Sequence, residues 1–322
     1  MTRSLASVLA ACLISACSPW DRRQPDEYDL DFDIPRTEAL ADVLSDYGLY
    51  EEPLAALQPA KGVLPYELSS ELFTDYAQKQ RLLRIPEGTS ISSTDLETSE
   101  FPEGTVLVKT FYYPGRILET RLLIKTAGLW NVATYLWNAE QTDAALLLTG
   151  TTTEVAWTDE AGASGTTDYV VPHEGECVTC HQRNDAAAYI GPTLTNLNRT
   201  VMRDGIALNQ LEYLEARGVL DERDERVVPT VVDYRDATLS LERRARAYLD
   251  INCAHCHNPE GWDEVSEREI DFRHATPLNR TGLERKADEM ARVLEDGEMP
   301  YLGTTLLHDE GIQLVLDYVD TL

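Results

Sequence analysis

The sequence predicts an α+β, multidomain fold in which an N-terminal antiparallel β sandwich or barrel precedes two mainly α-helical modules. Between residues 61 and 171, short runs of β-branched and aromatic residues alternate with turns that contain glycine, a pattern typical of antiparallel strands. After Pro172, apolar residues recur at helical spacing, as they do on the buried face of a helix. The chain has 322 residues, which is enough for two or three such domains.

Five segments are predicted from these changes in pattern. They are a signal peptide (1–17), an acidic tether (18–37), a β domain (38–171), a first helical module (172–237) and a second helical module (238–322). The tether is rich in Asp, Glu and Pro and has too few apolar residues to form a core of its own.

The first residues are typical of an export signal. An apolar segment, 5–14, is too short to span a bilayer. The residues that end it, Ile14-Ser15-Ala16-Cys17, resemble the lipobox of bacterial lipoproteins, in which the cysteine thiol receives the lipid. Cys12 fits the same pattern with a shorter apolar segment, so Cys17 is the predicted lipidation site. Ser18 suggests, by resemblance to lipoprotein sorting, the periplasmic side of the outer membrane of a Gram-negative bacterium.

The charge of the chain restricts its partners. The sequence has 28 Lys plus Arg and 56 Asp plus Glu, a formal net charge of −28. Such a chain does not favour nucleic acid or an anionic lipid surface, so we expect contact with the membrane through the lipid anchor only. A partner with a basic docking face is expected, although high solubility alone also accounts for the charge.

Strand and helix positions follow from the local patterns. Six strands are predicted, at 105–113, 117–126, 130–138, 144–148, 151–157 and 166–171. In the first helical module, Leu208, Leu211 and Leu214 are expected on one face of a helix that ends at Gly218. In the second module, helices are expected at 238–251, at 283–294 behind a capping box of Thr281 and Glu284, and at 308–322.

Two Cys-x-x-Cys-His motifs carry the chemistry of the sequence. The spacing lets two thiols form thioether bonds with the vinyl groups of one haem and places the following His as the proximal iron ligand. Because the other two cysteines of the chain lie in the signal peptide, none is left for a structural disulfide. The motifs therefore predict two covalently bound c-type haems, attached at Cys177, Cys180 and His181 and at Cys253, Cys256 and His257.

Zinc binding and disulfide exchange are the alternative uses of these cysteines. Cys177, Cys180, Cys253 and Cys256 also fit a split zinc site with four thiolates, but zinc leaves the His after each pair unexplained. A redox-active disulfide of the thioredoxin type is disfavoured, since no βαβ pattern surrounds either motif.

The flanking residues resemble class I cytochromes c. The segment from Gly191 to Leu194 resembles their Gly-Pro-x-Leu turn, which implies that the Pro192 carbonyl accepts the Nδ1–H of His181. Pro277 is expected to do the same for the second haem. Met299, which precedes Pro300, matches the loop that supplies the distal Met ligand of the second iron; a buried core Met is the alternative.

The sixth ligand of the first iron is left open by the sequence. Met202 is the nearest Met after the Gly-Pro turn and is the first choice. An open or weakly held sixth position is the other possibility, and it favours catalysis. The remaining candidate ligands are Met290, His173, His255, His274 and His308.

Most of the mature chain resembles an uncharacterised bacterial family of dihaem c-type cytochromes with an N-terminal β domain. The resemblance lies in the segments 66–77, 209–211 and 244–257, the last of which runs into the second motif. It implies electron transfer and no known substrate.

Two functions are consistent with these motifs. We expect a periplasmic electron carrier that exchanges electrons with a redox partner. The alternative is a dihaem oxidoreductase, either peroxidase-like or the haem subunit of a dehydrogenase, with Glu174 and Glu176 as candidate acid–base groups. Whether the protein is an enzyme is left undecided, and a structural lipoprotein is the least favoured interpretation.

Overall fold

The computed structural model describes residues 40–93, 99–184, 186–222, 228–261 and 269–322. The predicted signal peptide, lipidation site Cys17 and acidic tether lie outside the described residues, as does the side chain of Glu174. Among the described helices, none is long and apolar enough to cross a membrane.

A six-stranded antiparallel sheet is the largest element of the fold. Strands that are neighbours in the sheet are also neighbours in the chain, and two short 3₁₀ turns, Leu44–Tyr47 and Leu54–Ala56, precede it. The strands are β1 (Val63–Pro65), β2 (Gln78–Arg84), β3 (Val106–Tyr113), β4 (Arg116–Thr126), β5 (Leu129–Trp137) and β6 (Ala144–Leu147).

Tight turns explain why the longest strands pair as they do. Ala127 and Gly128 connect β4 to β5 with φ angles of 52° and 81°, the left-handed conformation that a two-residue hairpin turn requires. Gly115, at φ 82°, closes the turn from β3 to β4. The predicted strands 105–113, 117–126, 130–138 and 144–148 are confirmed within two residues of their ends.

Both faces of the sheet are covered by apolar residues. On one face, Leu82, Val108 and Leu122 are in register across three strands and form one core. On the other face, Leu83, Leu107 and Leu123 belong to a second core. A sheet with alternate residues buried on opposite sides follows from the two-residue period of a strand.

A separate hairpin covers one end of the sheet. It consists of β7 (Thr151–Thr158) and β8 (Ser164–Val171), which confirms the last two predicted strands. Val155 and Tyr169 of the hairpin pack against Phe111 of β3. The sheet is open, with β1 and β6 at its edges, rather than a barrel.

The segment after Pro172 is not a helical module. Short helices alternate with two small hairpins: α1 (Glu174–Cys180), β9 (Gln182–Arg183), β10 (Ala186–Ala187), α2 (Leu194–Leu197), β11 (Thr200–Arg203), β12 (Ile206–Asn209) and α3 (Gln210–Ala216). Asp204 and Gly205 have φ angles of 51° and 77° and form a hairpin turn between β11 and β12. Leu208, expected on a helix face with Leu211 and Leu214, therefore lies in β12.

Longer helices occur only towards the C-terminus of the described chain. They are α4 (Leu241–Asn252), α6 (Leu283–Glu295) and α7 (Asp309–Val319), and a single turn, α5 (Leu278–Thr281), precedes α6. The predicted capping box is wrong, because α6 begins after Gly282 without a side-chain cap. The Oγ1 of Thr281 accepts only from Leu283 N, at 3.2 Å.

The predicted fold class is therefore wrong. The described chain is mostly β, with 24% helix, and does not contain two mainly helical cytochrome c-like modules. The error lies in the segment 172–237, where β-branched residues and a turn-forming Asp-Gly pair form hairpins. This segment shares one core with the sheet, since Cys177 and Leu211 lie in the same cluster as Leu107. The last helices have a core of their own, around Tyr248, Leu249 and Val315.

Candidate functional site

The first motif lies on helix α1 and at its C-terminal end. His173 caps the helix: its Nδ1 accepts from Gly175 N at 3.1 Å, while the Glu176 carboxylate accepts from His173 N at 3.0 Å. This reciprocal cap fixes the start of the helix. Cys177 and Cys180 are then one turn apart, and His181 follows as the C-cap residue.

The second motif begins where helix α4 ends. Cys253 is the C-cap of α4, and His257 N donates to Cys253 O at 2.9 Å. The side-chain amide of Asn258 donates to Ala254 O at 2.8 Å, which closes the turn that carries the motif. Both motifs therefore combine a helix end with a tight turn, although their surroundings differ.

The fold brings the two motifs together. The ligand atoms of Cys180, His255 and Cys256 all lie within 4.8 Å of one another. A small cavity of about 90 Å³ beside them is lined by residues from both motif regions, including Cys180 and Ala254. Residues that are far apart in the sequence thus form one site.

The four motif cysteines do not gather as a zinc site with four thiolates requires. Cys177 is only 6% exposed and belongs to the core that covers the sheet. Cys253 packs against the core of the C-terminal helices. Among the described residues, the compact group is Cys180, His255 and Cys256. It therefore contains two thiols and one imidazole, whereas the zinc site considered from the sequence had four thiols.

The imidazole of His181 is oriented by a backbone carbonyl. Its Nδ1 lies 2.8 Å from Ala188 O, in the place that the prediction gave to the Pro192 carbonyl. Donation from Nδ1 leaves the lone pair on Nε2, the atom that can bind iron. Burial lowers the pKa of His181 to about 3, with a further contribution from the Lys109 charge, so the ring is neutral.

The second motif has a different setting. Phe272 N donates to His257 O at 3.0 Å, and the Phe272 ring lies 5.3 Å from the imidazole. Pro277, predicted to orient His257, is the N-cap of α5 and lines a cavity of about 610 Å³. The predicted role of Pro277 remains a prediction.

Three of the motif thiols, those of Cys177, Cys180 and Cys253, have raised pKa values. Burial raises the pKa of Cys177 to about 11 and that of Cys253 to about 12. The pKa of Cys180 is also raised, by its contact with the Cys256 thiol and by burial. The described cysteines are free thiols. A raised thiol pKa disfavours a nucleophilic or redox-exchange cysteine.

The candidate sixth ligands are scattered in the structure. Met202 is 60% exposed on β11, and Met290 is buried in the C-terminal core. His173 caps α1, and the His308 ring stacks on Phe73 with centroids 4.3 Å apart. His255 lies beside Cys180, and His274 lines the small cavity with Cys180.

Met299 lies on the loop between α6 and α7. Its backbone N donates to Val293 O at 3.2 Å, and its side chain is half-buried. Its proposed bond to the second iron stays a prediction.

A row of positive charges beside the first motif was not recognised in the sequence. Arg81, Lys109 and Arg121 are directly opposite one another on β2, β3 and β4. The charges of Lys109 and Arg121 both act on His181, and the charge of Arg121 acts on the Cys177 thiol. The signal was present as basic residues at inward-facing strand positions, but their alignment needs the strand register.

Comparison with known proteins gives no assignment. The chain matches no family profile, no curated protein and no solved structure.

Proposed function

We propose that this protein is a dihaem c-type cytochrome that transfers electrons in the periplasm. The observation that carries the proposal is the meeting of the two Cys-x-x-Cys-His motifs, with Cys180 and Cys256 in one compact group. A carrier with two redox centres needs them close together, and neighbouring attachment residues meet that need.

The residues at the first motif are suited to holding a haem. Cys177 and Cys180 are free thiols one helical turn apart, and His181 follows with its Nδ1 bound to a carbonyl. The Cys253 and Cys256 thiols and His257 are the equivalent residues at the second motif. A haem bound at such a motif supplies a one-electron redox centre. Cys177 and Cys180 would attach it, and His181 would ligate it.

An electron carrier is favoured over a peroxidase-like enzyme because the acidic residue Glu176 beside the first motif already has a structural role. The carboxylate of Glu176 already accepts from the backbone of His173, and its position at the helix start explains its presence. An acid–base catalyst must reach the distal side of an iron. The enzyme alternative remains as an outcome of the experiment below.

A zinc site is the second candidate, and one observation favours it. Cys180, His255 and Cys256 offer two sulfurs and one nitrogen within 4.8 Å, a donor set that zinc accepts. Zinc would use the two thiols that thioether bonds would consume, so the two assignments exclude each other. The group has three ligands, and a structural zinc site normally has four.

Redox titration of the purified full chain tests the electron-transfer proposal. We expect two reversible one-electron steps in the visible spectrum and no turnover of hydrogen peroxide with an electron donor present. Peroxide turnover that needs both motifs would show the enzyme instead. The absence of any redox step together with bound zinc would show the metal site.

The location of the protein is a linked proposal. Cys17 receives the lipid anchor, and the net charge of −28 attracts a basic redox partner at low ionic strength. The variant Cys17→Ser should move the protein from the membrane fraction to the soluble fraction, while Cys12→Ser should not. The reverse result would show that the anchor is on Cys12.

A further inference from the structure

The row of Arg81, Lys109 and Arg121, here called the basic row, is an unusual use of buried sheet surface. Residues opposite each other in an antiparallel sheet have Cβ atoms about 5 Å apart, and like charges at such positions destabilise the sheet. Here Arg81 pairs with Lys109, and Lys109 with Arg121. Arg81 is buried, and the other two are partly buried.

Apolar surface encloses the basic row on the same face of the sheet. On one side of the row lie Leu83, Leu107 and Leu123, each two residues from a member of the row on the same strand. These leucines belong to the core that contains Cys177. Two residues along β3 in the other direction lies Phe111, the centre of a second apolar cluster. The row is therefore a charged strip between two apolar regions, one of which contains Cys177 of the first motif.

The charges in the row are only partly balanced. Glu119 accepts two bonds from Arg121, at 2.9 and 2.6 Å, and Glu71 lies 3.3 Å from Arg81. Lys109 has no such carboxylate partner, since no described carboxylate lies within ion-pair distance of it. Its Nζ atom lies 4.8 Å from the centre of the Phe111 ring. Lys79, on the same face of β2, is also near Lys109, and burial lowers the pKa of Lys79 to about 7.

Burial and the neighbouring cations Arg81, Lys79 and Arg121 hold the pKa of Lys109 well below its usual value. The ammonium form at this position is therefore stable only if an anion balances it. In a chain with a net charge of −28, exposed acids are abundant, yet none pairs with Lys109 among the described residues. The position of the row beside Cys177 and His181 indicates what that anion is. A haem attached there carries two carboxylates, which need cationic partners when they leave water.

We infer that the basic row binds a carboxylate of the haem attached at the first motif, with Lys109 as the residue that contacts it. The inference rests on the proposed function, since it assigns a role to these side chains only if the first motif carries a haem. Lys109 acts as a point charge, and Arg81 and Arg121 offer further donors.

The test replaces Lys109 by Met, which keeps the length of the side chain and removes the charge. Both the wild type and Lys109→Met should contain two thioether-bound haems, counted by intact mass. The lost positive charge favours the oxidised iron. We expect one of the two reduction potentials to fall by an amount equal to a tenfold change in equilibrium constant, or 59 mV for one electron.

Two further variants provide controls. Lys61→Met removes a charge from an exposed side chain and should leave both potentials unchanged. Lys109→Arg keeps the charge and should restore the wild-type potential. If Lys109→Met does not fold, Lys109→Gln gives the same test with a polar side chain.

Three results would overturn the inference. Unchanged potentials in a fully loaded Lys109→Met protein would leave the proposed function intact and refute the role of the row. If added phosphate shifted one potential of the wild type saturably, and did not do so in Lys109→Met, the row would bind a free anion instead. A wild-type chain without haem would refute the proposed function and, with it, this assignment.

Discussion

The two Cys-x-x-Cys-His motifs share a sequence pattern but lie in different surroundings. The first is built into the core that covers the sheet, with Cys177 among its apolar residues and cations beside His181. The second follows a long helix, α4, and packs with the C-terminal helices, which have a separate core. Since the surroundings of a haem set its potential, two equal motifs in unequal settings are expected to give two different redox centres.

The largest expected effect comes from removing one motif at a time. The double variant Cys177→Ser/Cys180→Ser should contain one haem per chain, and so should Cys253→Ser/Cys256→Ser. Because the first motif shares its core with the sheet, its removal should also lower the melting temperature more. Haem counting and thermal unfolding measure both effects. Equal losses of stability would show that the two settings do not differ in this respect.

The ion pair at the basic row should be important for stability. Glu119 has no exposed surface and accepts from Arg121 and from the Tyr169 hydroxyl, the latter at 2.6 Å. The variant Glu119→Gln leaves Arg121 without its counter-charge and should lower the free energy of unfolding by about 3 kcal/mol. The exposed Glu154→Gln is the control, expected to change it by less than about 0.5 kcal/mol. Equal effects in denaturant titrations would contradict the account.

His308 should make the protein sensitive to acid. Its ring is 3% exposed, stacks on Phe73 and lies 3.1 Å from the Tyr248 hydroxyl, and burial lowers its pKa from 6.5 to about 4. A lowered His pKa means that the unfolded chain binds the proton first. Stability from this group is complete above pH 6.5 and is lost as pH falls towards 4, by about 3 kcal/mol in all.

The variant His308→Phe keeps the stacked ring and should make the loss of stability between pH 6.5 and 4 shallower by that amount. At higher pH it should cost only about 1 kcal/mol, for the contact with Tyr248. His173→Asn, at an exposed helix cap, is the control and should keep the wild-type slope. Denaturant titrations at several pH values decide the question, and a slope unchanged in His308→Phe would refute it.

The smallest change is expected at Met299. If its sulfur ligates the second iron, Met299→Ala should lower one of the two potentials and leave the other unchanged. Met290→Leu, in the C-terminal core, keeps the side-chain volume and should leave both unchanged. Spectra recorded at controlled potential make the comparison. If both potentials of Met299→Ala equal those of the wild type, Met299 is a packing residue.

The sequence was informative where the signal is local. Strands β3 to β8 could be predicted because alternating burial and turns such as Ala127-Gly128 act over a few residues. The region 172–237 was predicted wrongly because its segments are short, and short apolar runs do not distinguish a helix from a hairpin. Leu208 shows the error: it fits a helical period with Leu211 but lies in β12.

In the candidate site, too, local features could be predicted from the sequence and long-range features could not. The two motifs could be recognised directly, since a haem-attachment motif consists of five consecutive residues. The carbonyl at His181 Nδ1 belongs to Ala188 rather than Pro192, because loop geometry decides which carbonyl reaches the ring. The contact between Cys180 and Cys256, and the alignment of Lys109 with its neighbours, depend on long-range packing and register that a single sequence does not contain.

The most direct test of the account is the cofactor content of the wild-type chain. The protein should be purified from cells that carry a cytochrome c maturation system and examined by intact mass, pyridine haemochrome spectrum and zinc analysis. We predict two haems bound through thioethers, no stoichiometric zinc, and Cys177, Cys180, Cys253 and Cys256 all blocked to alkylation. A haem-free protein with one zinc per chain, and with cysteines that alkylate after chelation, would contradict it.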